Sequence, residues 1–114
     1  METTRQLIEQ LRQHQFHIST AESCTGGMIA SMLVGVSGAS EVFEEGYVTY
    51  SNEVKIKNLG VSAETIRKYT VVSGPVAEEM AKGAADRSGA ALALSTTGYA
   101  GNSRPASGAE HQFS

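Results

Sequence analysis

The chain has 114 residues, 40% of them hydrophobic and 18% charged, with a formal net charge of -3. That length suits one domain, and the composition is too apolar and too weakly charged for a disordered chain. The longest apolar run, Ala90 to Leu94, is five residues, far short of the ~18 of a membrane span. METTRQLIEQLRQHQ has neither the apolar core nor the cleavage pattern of a signal peptide. One cysteine excludes an internal disulfide and a cysteine-only zinc cage, so a reducing cytoplasm is the expected setting. The slightly acidic balance, without a basic run, argues against nucleic acid as the main partner.

Residues 3 to 14 predict an amphipathic helix, with Leu7, Ile8 and Leu11 on one stripe and Thr3 and Gln6 spaced as a capping box. Phe16 to Ala21 reads as a short strand. ESCTGG then breaks the pattern, and a second helix follows with Ile29, Met32, Leu33 and Val36 at helical spacing, ended by Gly35 and Gly38. Residues 37 to 40 are a loop, and 41 to 50 hold one or two strands. Asn52 is placed to cap a helix that Gly60 stops, and Ser62 opens another to about Tyr69. Val71 and Val72 form an extended link. Ser73-Gly74-Pro75 opens a longer helix to about Ser88, with Val76, Met80 and Ala84 on one side and Gly89 at its end. Ala90 to Thr96 has the nearly continuous apolarity of a buried parallel strand. The alternation of helices and strands indicates an α/β layer structure. From Gly98 onward the sequence loses periodicity and fills with glycine and polar residues.

Three turns carry candidate chemistry. Thr20-Ala21-Glu22-Ser23-Cys24-Thr25-Gly26-Gly27 lies between a strand and a helix, where open α/β sheets bind ligands. The helix start offers free amides to a phosphate or oxyanion, and paired glycines permit close approach. The alternative is that these residues only cap the helix. Neither a GxxxxGK[ST] loop nor a GxGxxG fingerprint is present. Ser23 and Cys24 both stand as nucleophiles. A serine needs an activating base, and the histidines suit that poorly: His14 and His17 flank the first helix end and His111 lies in the irregular tail. No spacing of ligands suggests a metal, and no cofactor is indicated. A lysine is the better partner.

Lys55, in the second motif Tyr47 to Lys55, falls on the first turn of a helix and could bend back over the strand end. Desolvation there would push its pKa down and let it accept a proton. Tyr50 could relay a proton or donate to a tetrahedral intermediate. The alternative is a surface lysine beside a half-buried tyrosine. Thr96-Thr97-Gly98-Tyr99-Ala100-Gly101 puts a third hydroxyl and glycine turn on the same strand-end rim, and such convergence builds pockets.

These motifs resemble the C-terminal domain of the competence-damage-inducible protein CinA, whose stand-alone members include nicotinamide-nucleotide amidases. The resemblance is carried by TAESCTGG at 20 to 27, GVSGAS at 35 to 40, EEGYVTYSNEVKIKNLGV at 44 to 61, VSGPVAEEMAKGA at 72 to 84 and STTGYAG at 95 to 101. It implies a three-layer α/β/α sandwich and metal-independent hydrolysis of nicotinamide mononucleotide to nicotinate mononucleotide and ammonia. It also implies Ser23 as nucleophile, Lys55 as general base and Tyr50 as its assistant. Thr25, Gly26 and Gly27 would face an anionic or oxyanionic group, and Thr97 and Gly98 would line the pocket. The partners it implies are a small nucleotide substrate and a second copy of the chain, as a homodimer.

The family's last motif usually reads TGIAGP; here it is Thr97-Gly98-Tyr99-Ala100-Gly101-Asn102. Nothing beyond it matches the further strands, the closing helix or the substrate-contacting arginine of the family, and Arg104 is no convincing substitute. The expectation is therefore a partial amidase domain over 1–101, incomplete at its C-terminal end, followed by an irregular tail over 102–114. The alternative function is a truncated, catalytically inactive member acting as a remnant or small binding domain.

Overall fold

Five consecutive buried residues, Ile18–Glu22, form the central strand β1. Strand β2, Phe43–Val48, lies on one side of it and β3, Leu92–Ser95, on the other. Both pairings are parallel, with Glu22 opposite Val48 and Ala21 opposite Ser95. The computed structural model describes residues 2–23 and 26–98. The irregular ending expected over 102–114 lies outside them, as do Cys24 and Thr25. Among the described residues no helix is long and apolar enough to cross a membrane.

Successive side chains of a strand point to opposite faces, so β1 divides the core in two. Ile18 packs with Ile8 and Leu11 of helix α1 (Glu2–His14) and Leu33 of α2 (Met28–Val34). Ala21 packs on the other face with Leu59 of α3 (Asn52–Leu59) and with Val76, Met80 and Ala84 of α5 (Gly74–Ser88). Helix α4 (Ala63–Tyr69) adds Ile66 to that second cluster. The result is the expected three-layer α/β/α sandwich, with α1 and α2 on one side and α3, α4 and α5 on the other. Burying each large apolar side chain stabilises it by about 1.5–3 kcal/mol.

The local signals mostly act as their chemistry demands. Ser62 and Ser73 accept first-turn amides of α4 and α5, and Gly60 and Gly89 end α3 and α5 in the left-handed region. Four expectations change. Helix α1 starts at Glu2, so Thr3 lies inside its first turn rather than at the cap. The cap of α3 is Ser51, whose hydroxyl accepts from Val54, and Asn52 is already helical. The first strand begins at Ile18 because Phe16 still donates to the Leu11 carbonyl and Gln15 takes a positive φ of 58°. β3 is not fully buried: Leu92 is 44% exposed, because β3 is an edge of this sheet and nothing among the described residues covers that end. A short 3-10 turn, Ala39–Glu41, also occupies part of the expected loop.

α2 lies close to the sheet because Gly46 of β2 has no side chain. A Cβ there would stand 3.1 Å from the Thr20 hydroxyl, 3.2 Å from Phe43 and 3.4 Å from Ala30.

Candidate functional site

All three strands run the same way, so the turns after them share one edge of the sheet. The helix following β1 packs on one face and the helix following β2 on the other. That reversal between neighbouring strands opens a crevice at their carboxyl ends. Ser23 and Lys55 meet there.

Strand alternation sets the direction of each side chain. Ser19 and Ala21 face the α5 layer, where Ser19 Oγ bonds Ser88 Oγ at 2.7 Å. Ser23 continues that series toward α3. Lys55 is the fourth residue of α3, and from there its stem folds back over the end of β2. Its Nζ lies 2.9 Å from Ser23 Oγ, 2.9 Å from the Thr49 carbonyl and 3.4 Å from the Tyr50 carbonyl. Lys55 is 1% exposed and Ser23 3%. A buried ammonium is costly unless hydrogen-bonded, and these oxygens supply acceptors for it. The same 2.9 Å separation serves the reverse bond, in which a neutral amine accepts the serine proton.

The two strand exits are tied together as well. Thr49 N donates to the Glu22 carbonyl at 2.8 Å, with its hydroxyl 3.4 Å from the same oxygen. The Thr49 carbonyl that Lys55 uses is thereby held against the end of β1.

The other expected residues are distributed unevenly. Tyr50 is 66% exposed, and its main-chain carbonyl, not its phenol, is what approaches Lys55. Gly26 and Gly27 sit at φ 69° and 107°, and Gly27 precedes α2. Thr25 lies outside the described residues. Thr97 is buried, and its hydroxyl donates to the Val71 carbonyl at 2.9 Å, bracing the link between α4 and α5. Gly98 is half-buried at the same edge. His14 and His17 are exposed and remote; His17 meets Glu44 at 2.6 Å. His111 lies outside the described residues. Among those residues no group of three or more His, Cys, Asp and Glu is placed to hold a metal. Tyr47 of β2 is no candidate base: burial first, then Glu45, pushes its phenol up against a smaller opposing pull from Arg87.

Sequence reasoning did not single out two residues at this site. Glu22 and Thr49 are 1% exposed and connect the segments that bear Ser23 and Lys55. Strand parity would have turned Glu22 toward α2, opposite to Ser23. Thr49 acts through its main chain, which no side-chain pattern reveals. Glu22 also alters the expectation for α2. Its carboxylate accepts from Ile29 N at 2.6 Å and Ala30 N at 3.0 Å, so two amides expected to await an anion are engaged from within.

Comparison with known proteins follows the same lines. The CinA C-terminal domain profile matches residues 1–111. A CinA-like protein of Kosmotoga olearia is 52% identical over 95 residues, which are 83% of this chain and 23% of that protein. The solved CinA superfamily protein of Escherichia coli superposes with a TM-score of 0.86 at 38% identity, covering 92% of this chain and 61% of that one. The competence/damage inducible protein CihA of Agrobacterium tumefaciens gives 0.87 at 42% identity, over 93% and 64%. The matched part spans 20–23% of the length of these curated relatives.

Proposed function

The chain belongs to the CinA C-terminal domain family, and from that membership and the Ser23–Lys55 contact we propose that it is a nicotinamide-nucleotide amidase. The single observation that carries the reading is a serine hydroxyl 2.9 Å from a buried lysine amine at a parallel-sheet switch point. A serine beside an amine of this kind is suited to attack an amide carbon.

In the proposed reaction Ser23 Oγ bonds to the carboxamide carbon of nicotinamide mononucleotide while Lys55 Nζ takes the hydroxyl proton. The carbonyl electrons move to oxygen, and stabilising that oxyanion is the role assigned to Thr25, Gly26 and Gly27. Collapse breaks the carbon–nitrogen bond, and the Lys55 ammonium returns its proton to the departing nitrogen, releasing ammonia. Water then attacks the Ser23 ester, giving its proton to Lys55. The acyl–oxygen bond breaks, nicotinate mononucleotide leaves, and Ser23 recovers a proton. Tyr50, at the exposed rim, is assigned the assisting hydrogen bond, and Thr97 and Gly98 the pocket wall. The homodimer expected from the family completes the proposal.

The test is direct. Purified chain with nicotinamide mononucleotide should release ammonia and nicotinate mononucleotide in equal amounts. No release from a chain that melts cooperatively would overturn the reading in favour of an inactive binding domain. Sedimentation over a concentration series checks the dimer.

Lys55→Met should lower kcat by about 10²–10⁴-fold, the usual worth of a positioned base. Stability should fall by about 1–3 kcal/mol, because the buried Thr49 carbonyl and Ser23 hydroxyl lose a hydrogen-bond partner. A Lys55→Met variant that keeps the rate of the unaltered chain would remove Lys55 from the mechanism.

A further inference from the structure

Helix α2 begins without a side-chain cap of the usual kind. Its cap position is Gly27, which has no side chain to offer. The first-turn amides have no intrahelical partner. Glu22, from the far side of the turn, supplies the acceptors: Oε1 takes Ile29 N at 2.6 Å and Oε2 takes Ala30 N at 3.0 Å. The carboxylate is 1% exposed and meets the positive end of the helix. Through its carbonyl the same residue receives Thr49 N at 2.8 Å. One residue thus joins the end of β1, the start of α2 and the exit of β2.

Ser23 lies inside the loop that this carboxylate closes. The loop contains Gly26 and Gly27, both at positive φ, and glycine restrains backbone weakly. The anchored residues at its ends therefore carry the restraint on Ser23. Ser23 is the residue next to the Glu22 anchor, whose carbonyl also holds Thr49 N, and Lys55 is bonded both to Ser23 Oγ and to the Thr49 carbonyl.

We infer that Glu22 is a positioning residue, whose carboxylate, bridging Ile29 and Ala30, holds Ser23 Oγ at Lys55 Nζ. The inference rests on the reading of Ser23 as nucleophile. It also gives the positive end of α2 an internal counter-charge, so that end is not the docking point for a substrate phosphate.

The experiment uses the full chain with Glu22→Gln, Glu22→Asp and Glu22→Ala. Two rates are followed. One is covalent labelling of Ser23 by a sulfonyl fluoride, read by intact mass with Ser23→Ala as blank; this needs no substrate. The other is steady-state hydrolysis of nicotinamide mononucleotide. Glu22→Gln keeps one acceptor oxygen and should slow labelling and kcat about 10-fold. Glu22→Ala should slow both about 100-fold, as a displaced reacting group does. KM should stay within about twofold, because the carboxylate acts on the nucleophile and not on the bound nucleotide. Exchange of the Ile29 and Ala30 amides should accelerate in the same order. Should Glu22→Ala fail to fold, the graded loss in Gln and Asp decides. Folded variants that label and turn over like the unaltered chain would overturn the inference. So would a loss confined to KM, or an unaltered Ser23 that the reagent ignores. An unaltered chain that labels at Ser23 but releases no ammonia would sink the amidase reading alone, with the labelling series still judging Glu22.

Discussion

Ser23→Ala is expected to reduce ammonia release from nicotinamide mononucleotide to background, a fall on the order of 10³–10⁶-fold. The fold should survive, because the change removes one oxygen, from a side chain that bonds Lys55. The lysine keeps the Thr49 and Tyr50 carbonyls as acceptors, so the expected stability loss is about 1 kcal/mol. The measurement is coupled ammonia detection beside a thermal melt of the same preparation. Cys24→Ser is the matching control. Cys24 is the rival nucleophile by sequence, and if Ser23 carries the acyl group, Cys24→Ser should keep most of the rate. Loss of activity in Cys24→Ser with retention in Ser23→Ala would reverse the assignment. It would also leave the Ser23–Lys55 contact as a structural bond only.

Gly83→Ala should have the largest effect on stability. Gly83 lies in the interior of α5, where alanine would ordinarily gain about 1 kcal/mol in helix propensity. Here its missing side chain is what lets α3 touch α5. A Cβ would collide with the Leu59 carbonyl oxygen and stand 2.8 Å from the carbonyl carbon. Both are backbone atoms, so no side chain can swing away; the end of α3 must move. Overpacking of this kind costs about 3 kcal/mol, and in a domain of this size that lowers Tm by more than about 10 °C. The same displacement would reach Lys55, which sits on α3. Gly83→Ala should therefore lose activity in whatever fraction stays folded. Gly89→Ala is the comparison: its Cβ would meet nothing within 4 Å, so it suffers only the strain of φ 77°. A Gly83→Ala melt within 2–3 °C of the unaltered chain would show that the α3–α5 contact is pliable.

Much of the molecule is legible before any coordinates. The serines before α4 and α5 and the glycines after α3 and α5 are local signals, because a cap bonds amides two or three residues away. The stripe of Val76, Met80 and Ala84 needs only helical spacing to predict burial, and all three are fully buried. Ser23, Lys55 and the three polar turns could be named because each sits at a strand end within a distinctive motif. The misplaced details have a common cause. Thr3 and Asn52 lost their cap positions by shifts of one or two residues in where a helix starts, and local pattern does not resolve such shifts. β3 has the apolarity of a central strand yet lies at an edge, because strand order depends on which neighbours the chain places beside it.

Family, α/β class, order of elements and candidate side chains all follow from patterns carried within short segments. Tertiary structure alone decided which of those side chains meet. Lys55 touches Ser23, 32 residues away in the chain, because β1 and β2 pair in parallel with Glu22 opposite Val48. The Tyr50 phenol stays at the rim because the chain presents its carbonyl to the lysine instead. Glu22 turns away from Ser23 because neighbouring strand residues face opposite layers, and the open helix end it caps is brought there only by folding.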